Sequence, residues 1–166
     1  MEPYKLRRWR RSSSFDPVPL FTCGRPGRSK GNQGAVPDAV VDKWVHGLPG
    51  GSTISVVSLL GRKPNGLSEY SFYSFCGTFE TPAETKSRPP FQQWLEQRHP
   101  KRRLEVIEHP TTDFKPVPRE TLVVVARDID HHLSMGRIVV LMDSGGETRT
   151  RQVCKYAAFV EDPRSS

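Results

Sequence analysis

The chain has 166 residues, a net charge of +7 and 35% hydrophobic residues. This length is sufficient for one domain with its own core, and the mean hydropathy of −0.57 is typical of a water-soluble chain. No apolar run approaches the roughly 20 residues of a membrane-spanning helix, which excludes a membrane span. The three cysteines include no CxxC pair, so we expect reduced thiols, a cytoplasmic location, and neither a metal nor another cofactor.

Residues 1–16 are predicted to form a flexible basic arm that precedes a single domain at residues 17–166. Five of the seven residues at 5–11 (KLRRWRR) are basic. Such a segment is suited to contact nucleic acid or an acidic membrane surface, or it is a solvated arm that aids solubility. No apolar stretch follows it, so we do not expect a secretory signal.

Strands and helices are predicted to alternate along the rest of the chain. Helices are marked by apolar residues at helical spacing and by prolines near their starts, and strands by runs of β-branched residues. The predicted elements are a strand at 18–24, a helix at 37–48, a strand at 52–61, a strand or packed loop at 70–79, a helix at 89–99, a strand at 102–109, a helix at 117–134, a strand at 136–142 and a helix at 150–162. This alternation predicts an α/β domain with a mostly parallel central sheet and helices on both faces. On the last helix, the predicted buried face consists of Val153, Cys154, Ala157 and Ala158.

The turn between the last strand and the last helix has the composition of an anion-binding loop. In α/β folds, ligands bind beyond the carboxyl ends of the strands, where this turn lies. Glycines let the backbone approach an anion, the N–H groups of a helix N-terminus attract it, and arginine binds it with two parallel bonds. The same glycine turn is also common as an ordinary turn. The candidate phosphate-binding residues are Ser144, Gly145, Gly146, Glu147, Thr148, Arg149 and Thr150.

The stretch M-D-S-G-G-E-T-R-T at 142–150 resembles the signature loop of the cysteine-dependent protein phosphatases, especially the dual-specificity group. That loop reads His-Cys, five residues, Arg, and then Ser or Thr. In this frame Arg149 and Thr150 match the family, whereas Asp143 stands at the position of the nucleophilic cysteine and Met142 at that of the histidine. Asp113, in HPTTDFKPVP, matches the position of the general acid. The resemblance implies a phosphatase-like fold over residues 17–166.

The replacement of the cysteine determines which function we expect. An ionised Asp143 copies the charge of a thiolate but not its nucleophilicity. The favoured hypothesis is therefore a pseudophosphatase that binds a phosphorylated protein or acts as a scaffold. An alternative is an active phosphatase of phosphoproteins or small phosphoesters, a hydrolase with Asp143 as nucleophile and Asp113 as general acid. A third is an interaction protein in which Asp143 pairs with Arg149 and closes the loop.

Two further observations bear on the enzyme hypothesis. Aspartyl-phosphate chemistry usually needs Mg²⁺ and a second aspartate two positions on, and that position is Gly145. Asp113 also fits an ordinary Asx turn before a proline. The sequence thus leaves enzymatic activity open.

Overall fold

A computed structural model describes residues 5–28, 36–73 and 90–163. Its strands are β1 (Arg7–Arg11), β2 (Pro17–Gly24), β3 (Ile54–Ser58), β4 (Leu104–Glu108), β5 (Ile138–Asp143) and β6 (Phe159–Glu161). Its α-helices are α1 (Asp38–His46), α2 (Pro90–Arg98), α3 (Arg119–Ser134) and α4 (Thr148–Tyr156), and a 3-10 helix spans Glu69–Phe72. Within these described ranges, no helix has the length and apolar character needed to cross a membrane.

The six strands form one sheet in the order β4-β3-β5-β2-β1-β6. The four strands β4, β3, β5 and β2 run parallel, and β1 is antiparallel to both β2 and β6. Strand β5 lies in the interior of the sheet, and its residues 139–142 have no exposed surface. This burial agrees with the continuous apolar run expected of a parallel strand that is covered on both faces.

Helices cover both faces of the sheet, which confirms the predicted α/β class. On one face, α1 and α2 pack their large side chains, including Trp44 and Phe91, against Val56 of β3. On the other face, α3 and α4 pack Ile129 and Val153 against strand residues of a second core cluster. The carboxyl ends of the parallel strands therefore meet at one edge between the two layers of helices.

The prediction of a flexible basic arm is wrong for residues 7–11. These residues form β1, which is hydrogen-bonded to β2 on one side and to β6 on the other. Trp9 is 3% exposed and donates its indole N–H to Thr22 Oγ1 at 2.9 Å, while the adjacent Arg8 and Arg10 stay partly exposed over aromatic rings. The buried Trp9 and the strand pairing hold the segment in place. The sequence does not indicate a strand here because arginines surround the tryptophan. Contact of this segment with nucleic acid or an acidic membrane stays a prediction.

The C-terminal helix is shorter than predicted. It ends at Tyr156, and Ala158 takes a positive φ of 63° that turns the chain into β6. Val153 and Cys154 are buried as predicted, but Ala158 is exposed. The helix ends early because the residues that follow it pair as β6 with the distant strand β1. In the aromatic segment predicted at 70–79, residues 70–72 belong to the 3-10 helix, and residues 74–79 lie outside the described ranges.

Candidate functional site

The turn from β5 into α4, which we call the Asp143 loop (residues 143–150), packs closely against the end of β2. Gly146 has φ +74°, and a Cβ atom there would lie 2.4 Å from the backbone nitrogen of Gly24. Only glycine fits this position, since the conformation and the close approach both exclude a side chain. Arg25 holds the other side of the turn, because its backbone N–H and its Nε each donate to Ser144 at 3.2 Å.

Asp143 lies at the base of this loop and is 2% exposed. Its Oδ1 accepts a hydrogen bond from the N–H of Gly146, and its Oδ2 accepts one from the N–H of Thr150 at 2.9 Å. The N-cap residue Glu147 makes no capping bond with its own side chain. The carboxylate of Asp143 therefore supplies the negative charge that a helix N-terminus favours, and the loop closes around an anion of its own.

Several amides of the loop remain available. Within the described part of the chain, no acceptor lies in hydrogen-bond geometry to the backbone N–H of Ser144, Gly145, Glu147, Thr148 or Arg149. The hydroxyl of Thr150 is also buried, and it has no partner among the same residues. Unpartnered amides in a turn before a helix are the donors that bind oxyanions.

Arg149 does not face the cleft with a free guanidinium. It is 2% exposed and forms a bidentate pair with Glu69, with both N···O distances at 2.7 Å. Further bonds run to Thr111 Oγ1 at 2.9 Å and to Asp113 Oδ1 at 3.2 Å. Burial by itself would lower the pKa of Arg149, but the hydrogen bonds and charge of Glu69 outweigh burial and raise that pKa above its usual value. Arg149 is therefore charged.

Three carboxyl groups surround Arg149. Glu69 and Asp113 contact it directly, and Asp143 also acts on it electrostatically. Burial raises the pKa of Glu69 above its ordinary value, and the hydrogen bonds and charge of Arg149 oppose that rise. The hydrogen-bonded pairing of Asp143 with Arg149 that the third hypothesis requires is not observed, because Asp143 bonds to the loop amides instead.

Glu69 and Thr111 are the site residues that sequence reasoning missed. Glu69 is 80 positions from Arg149 in the chain, and Thr111 is 38 positions away. Glu69 is 1% exposed and also accepts a hydrogen bond from the N–H of Gly61 at 2.9 Å. A glutamate in a polar loop carries no local signal of burial, so nothing in the pattern pointed to it.

A cleft of about 220 Å³ opens beside the loop and brings together most of the predicted site residues. Its lining consists of Arg28, Asp113, Phe114, Lys115, Asp143, Ser144, Gly145, Glu147, Thr148 and Arg149. Within the described ranges, Arg28 and Lys115 form no ion pair, so their charges are available to a ligand. Gly146 and Thr150 do not belong to this lining, and their amides donate to Asp143.

Asp113 lies in the cleft with its side chain 24% exposed. Its Oδ1 accepts from Arg149 and also from the N–H of Phe114 at 3.0 Å. The second bond is that of a local turn, and the backbone N–H of Asp113 is fixed to Arg62 O at 2.9 Å. Phe114 itself is 84% exposed and takes φ 63°.

The described cysteines are not placed for nucleophilic chemistry. Cys23 and Cys154 are free thiols and fully buried. Burial raises the pKa of Cys23 to about 12 and raises the pKa of Cys154 as well, which suppresses the reactive thiolate at neutral pH. Cys76 lies outside the described residues. Among those residues, no group of three or more metal-ligating side chains occurs.

Comparison of the sequence with protein-family profiles and with curated proteins gives no match. Among solved structures, the chain is similar to the crystal structure of Tk-PTP in the active form, with 17% sequence identity and a TM-score of 0.47. The similarity covers 90% of this chain and 68% of that chain. The fold class of this chain rests on its own strands and helices, which form a mixed α/β domain around a six-stranded sheet.

Proposed function

We propose that this chain is a phosphatase-like domain without cysteine-dependent hydrolysis, and that its Asp143 loop binds the phosphate group of a phosphorylated partner protein. One observation carries this proposal. Asp143, at the position that resembles the family's nucleophile, uses both carboxylate oxygens to hold the loop amides of Gly146 and Thr150. The residue thus has an architectural role in the loop.

The same contacts argue against the enzyme hypothesis. A carboxylate nucleophile attacks phosphorus with an oxygen lone pair, and each oxygen of Asp143 accepts a buried backbone hydrogen bond, which lowers its nucleophilicity. Aspartyl-phosphate chemistry usually also uses Mg²⁺ and a second aspartate, and Gly145 stands at that position. These features support binding without turnover.

The free donors of the loop support recognition of an oxyanion. The unpartnered amides of residues 144, 145, 147, 148 and 149 and the charges of Arg28 and Lys115 line one cleft. The charge of Asp143 opposes a phosphate, by about 4 kcal/mol for two unit charges 4 Å apart at an effective dielectric constant near 20. We therefore expect weak binding of free phosphate, and we infer that a protein ligand adds contacts outside the cleft.

Titration with tungstate, run beside a p-nitrophenyl phosphate assay, tests the proposal. We expect measurable heat of binding and no turnover above background. The double variant Arg28→Gln/Lys115→Gln removes both free cations of the cleft and should weaken tungstate binding. Lys43→Gln, at an exposed position of α1, removes the same kind of charge elsewhere and should not. Robust hydrolysis, or tungstate binding that is absent in the unmodified protein, would contradict the proposal.

A further inference from the structure

A second cavity lies at the amino-terminal ends of the parallel strands, opposite the carboxyl ends where the Asp143 loop lies. It has a volume of about 470 Å³, and we call it the Gly50 cavity. Its lining consists of Gly50, Gly51, Ser52, Lys101, Arg102 and Arg103. These residues directly precede β3 and β4, and the N–H of Ile54 donates to Arg103 O at 2.8 Å, which joins the two segments. Five-residue strands span about 15 Å, so the cavity is separate from the cleft at the other edge.

The charge of the Gly50 cavity is positive and uncompensated. No acidic residue belongs to its lining. Arg102 donates to the carbonyl groups of Val45, Leu48 and Pro49, at 3.2, 3.5 and 2.8 Å, and so caps the segment that follows α1. Lys101 and Arg103 are exposed and have no ion pair with any described residue.

The nearest acidic side chain in sequence does not neutralise these two charges. Glu105 lies two positions after Arg103, but its carboxylate pairs with Arg137 at 2.5 Å. Arg102 already donates to the carbonyl group of Val45 at the end of α1. The side chains of Lys101 and Arg103 form no hydrogen bond with a described residue, so both cations remain beside the cavity.

The backbone of the cavity adds unpartnered donors. The N–H groups of Gly50, Gly51 and Ser52 have no acceptor among the described residues. Gly51 takes φ +91°, and no atom lies within 4 Å of where a side chain would begin at Gly50 or Gly51. Successive free amides in a glycine turn form concave sites that attract anions.

We infer that the Gly50 cavity is a second anion-binding site, for a hydrophilic ligand that carries phosphate groups. Lys101 and Arg103 supply charge, and the amides of residues 50–52 supply neutral donors. The lining contains no aromatic or aliphatic side chain, so it offers nothing to stack on a nucleobase or to hold a lipid chain. The ligand is therefore recognised through its oxyanion groups. This inference does not depend on the function proposed for the Asp143 loop.

Inorganic pyrophosphate is the probe for this site, with the full chain titrated by calorimetry and by NMR of the backbone amides. We expect the amide signals of Gly51 and Ser52 to shift, and Lys101→Gln/Arg103→Gln to weaken binding at least tenfold. Arg28→Gln/Lys115→Gln serves as the matched control, because it removes two charges from the other edge and should leave these shifts unchanged.

Two results would overturn the inference. One is the absence of shifts at residues 50–52 in the unmodified protein. The other is an equal loss of these amide shifts in both double variants, which would mean that net charge alone attracts pyrophosphate to residues 50–52. Tungstate binding at the Asp143 loop is judged separately, against Lys43→Gln, so the two proposals fail independently.

Discussion

Replacement of Asp143 by asparagine removes the internal anion of the loop and keeps the shape of the side chain. In the native protein each carboxylate oxygen accepts one backbone hydrogen bond, from Gly146 and from Thr150. Asparagine retains one oxygen, and its NH₂ group would face a backbone donor instead of accepting from it. One buried N–H then loses its partner, which costs about 1–3 kcal/mol. We expect the free energy of unfolding of Asp143→Asn to fall by about 2 kcal/mol.

The same change should strengthen oxyanion binding. Relief of half of the repulsion estimated at about 4 kcal/mol per pair of unit charges corresponds to about 2 kcal/mol, which is more than tenfold in affinity. The variant is thus less stable alone and more responsive to ligand. Because a ligand that binds only the native state stabilises it, saturating tungstate should restore much of the lost stability.

Urea unfolding with and without tungstate, combined with calorimetric titration, measures both effects. Asp130→Asn is the matched control, since Asp130 forms an exposed pair with Arg11 at 3.0 Å and such pairs contribute about 0–1 kcal/mol. It should leave tungstate binding unchanged. If Asp143→Asn unfolds like the unmodified protein and binds tungstate no more tightly, the carboxylate does not organise this loop and the reasoning is refuted.

Three other predictions follow from buried groups. Glu69→Gln removes the bidentate charge partner of Arg149 and leaves the 3.2 Å contact with Asp113, so it should cost about 1.5–3 kcal/mol in urea unfolding; equal stability of Glu69→Gln and the unmodified protein would contradict this. Burial raises the pKa of Glu108 from 4.5 to about 8, so the folded state holds a proton that the unfolded state releases, and stability should fall as pH rises through this window. Glu108→Gln should remove that fall between about pH 5 and pH 9, and an unchanged pH profile would refute it. Iodoacetamide at neutral pH should modify Cys23 and Cys154 only after unfolding, as peptide mass mapping would show, and rapid alkylation of either in the native state would disprove their burial.

Local patterns in the sequence determined most of the fold. The continuous apolar run of β5 predicts a strand that is buried on both faces. The helical spacing of apolar residues in α3 predicts a helix with one buried face. The turn between β5 and α4 can also be predicted from the sequence, because its glycines, Asp143 and Arg149 are neighbours in the chain. The sequence alone thus predicts that the candidate loop lies at the carboxyl ends of the strands of a parallel sheet.

Tertiary structure decided the rest, and in each case the reason is a long-range pairing. Residues 7–11 read as a solvated arm, but one buried tryptophan and two neighbouring strands make them β1. The end of the last helix became β6 because β1 offers it a partner. Arg149 turned inward because Glu69, 80 positions away, meets it in the core. The periodicity of a segment indicates which of its own side chains are buried. It does not indicate which distant strand pairs with the segment or which distant charge pairs with its side chains.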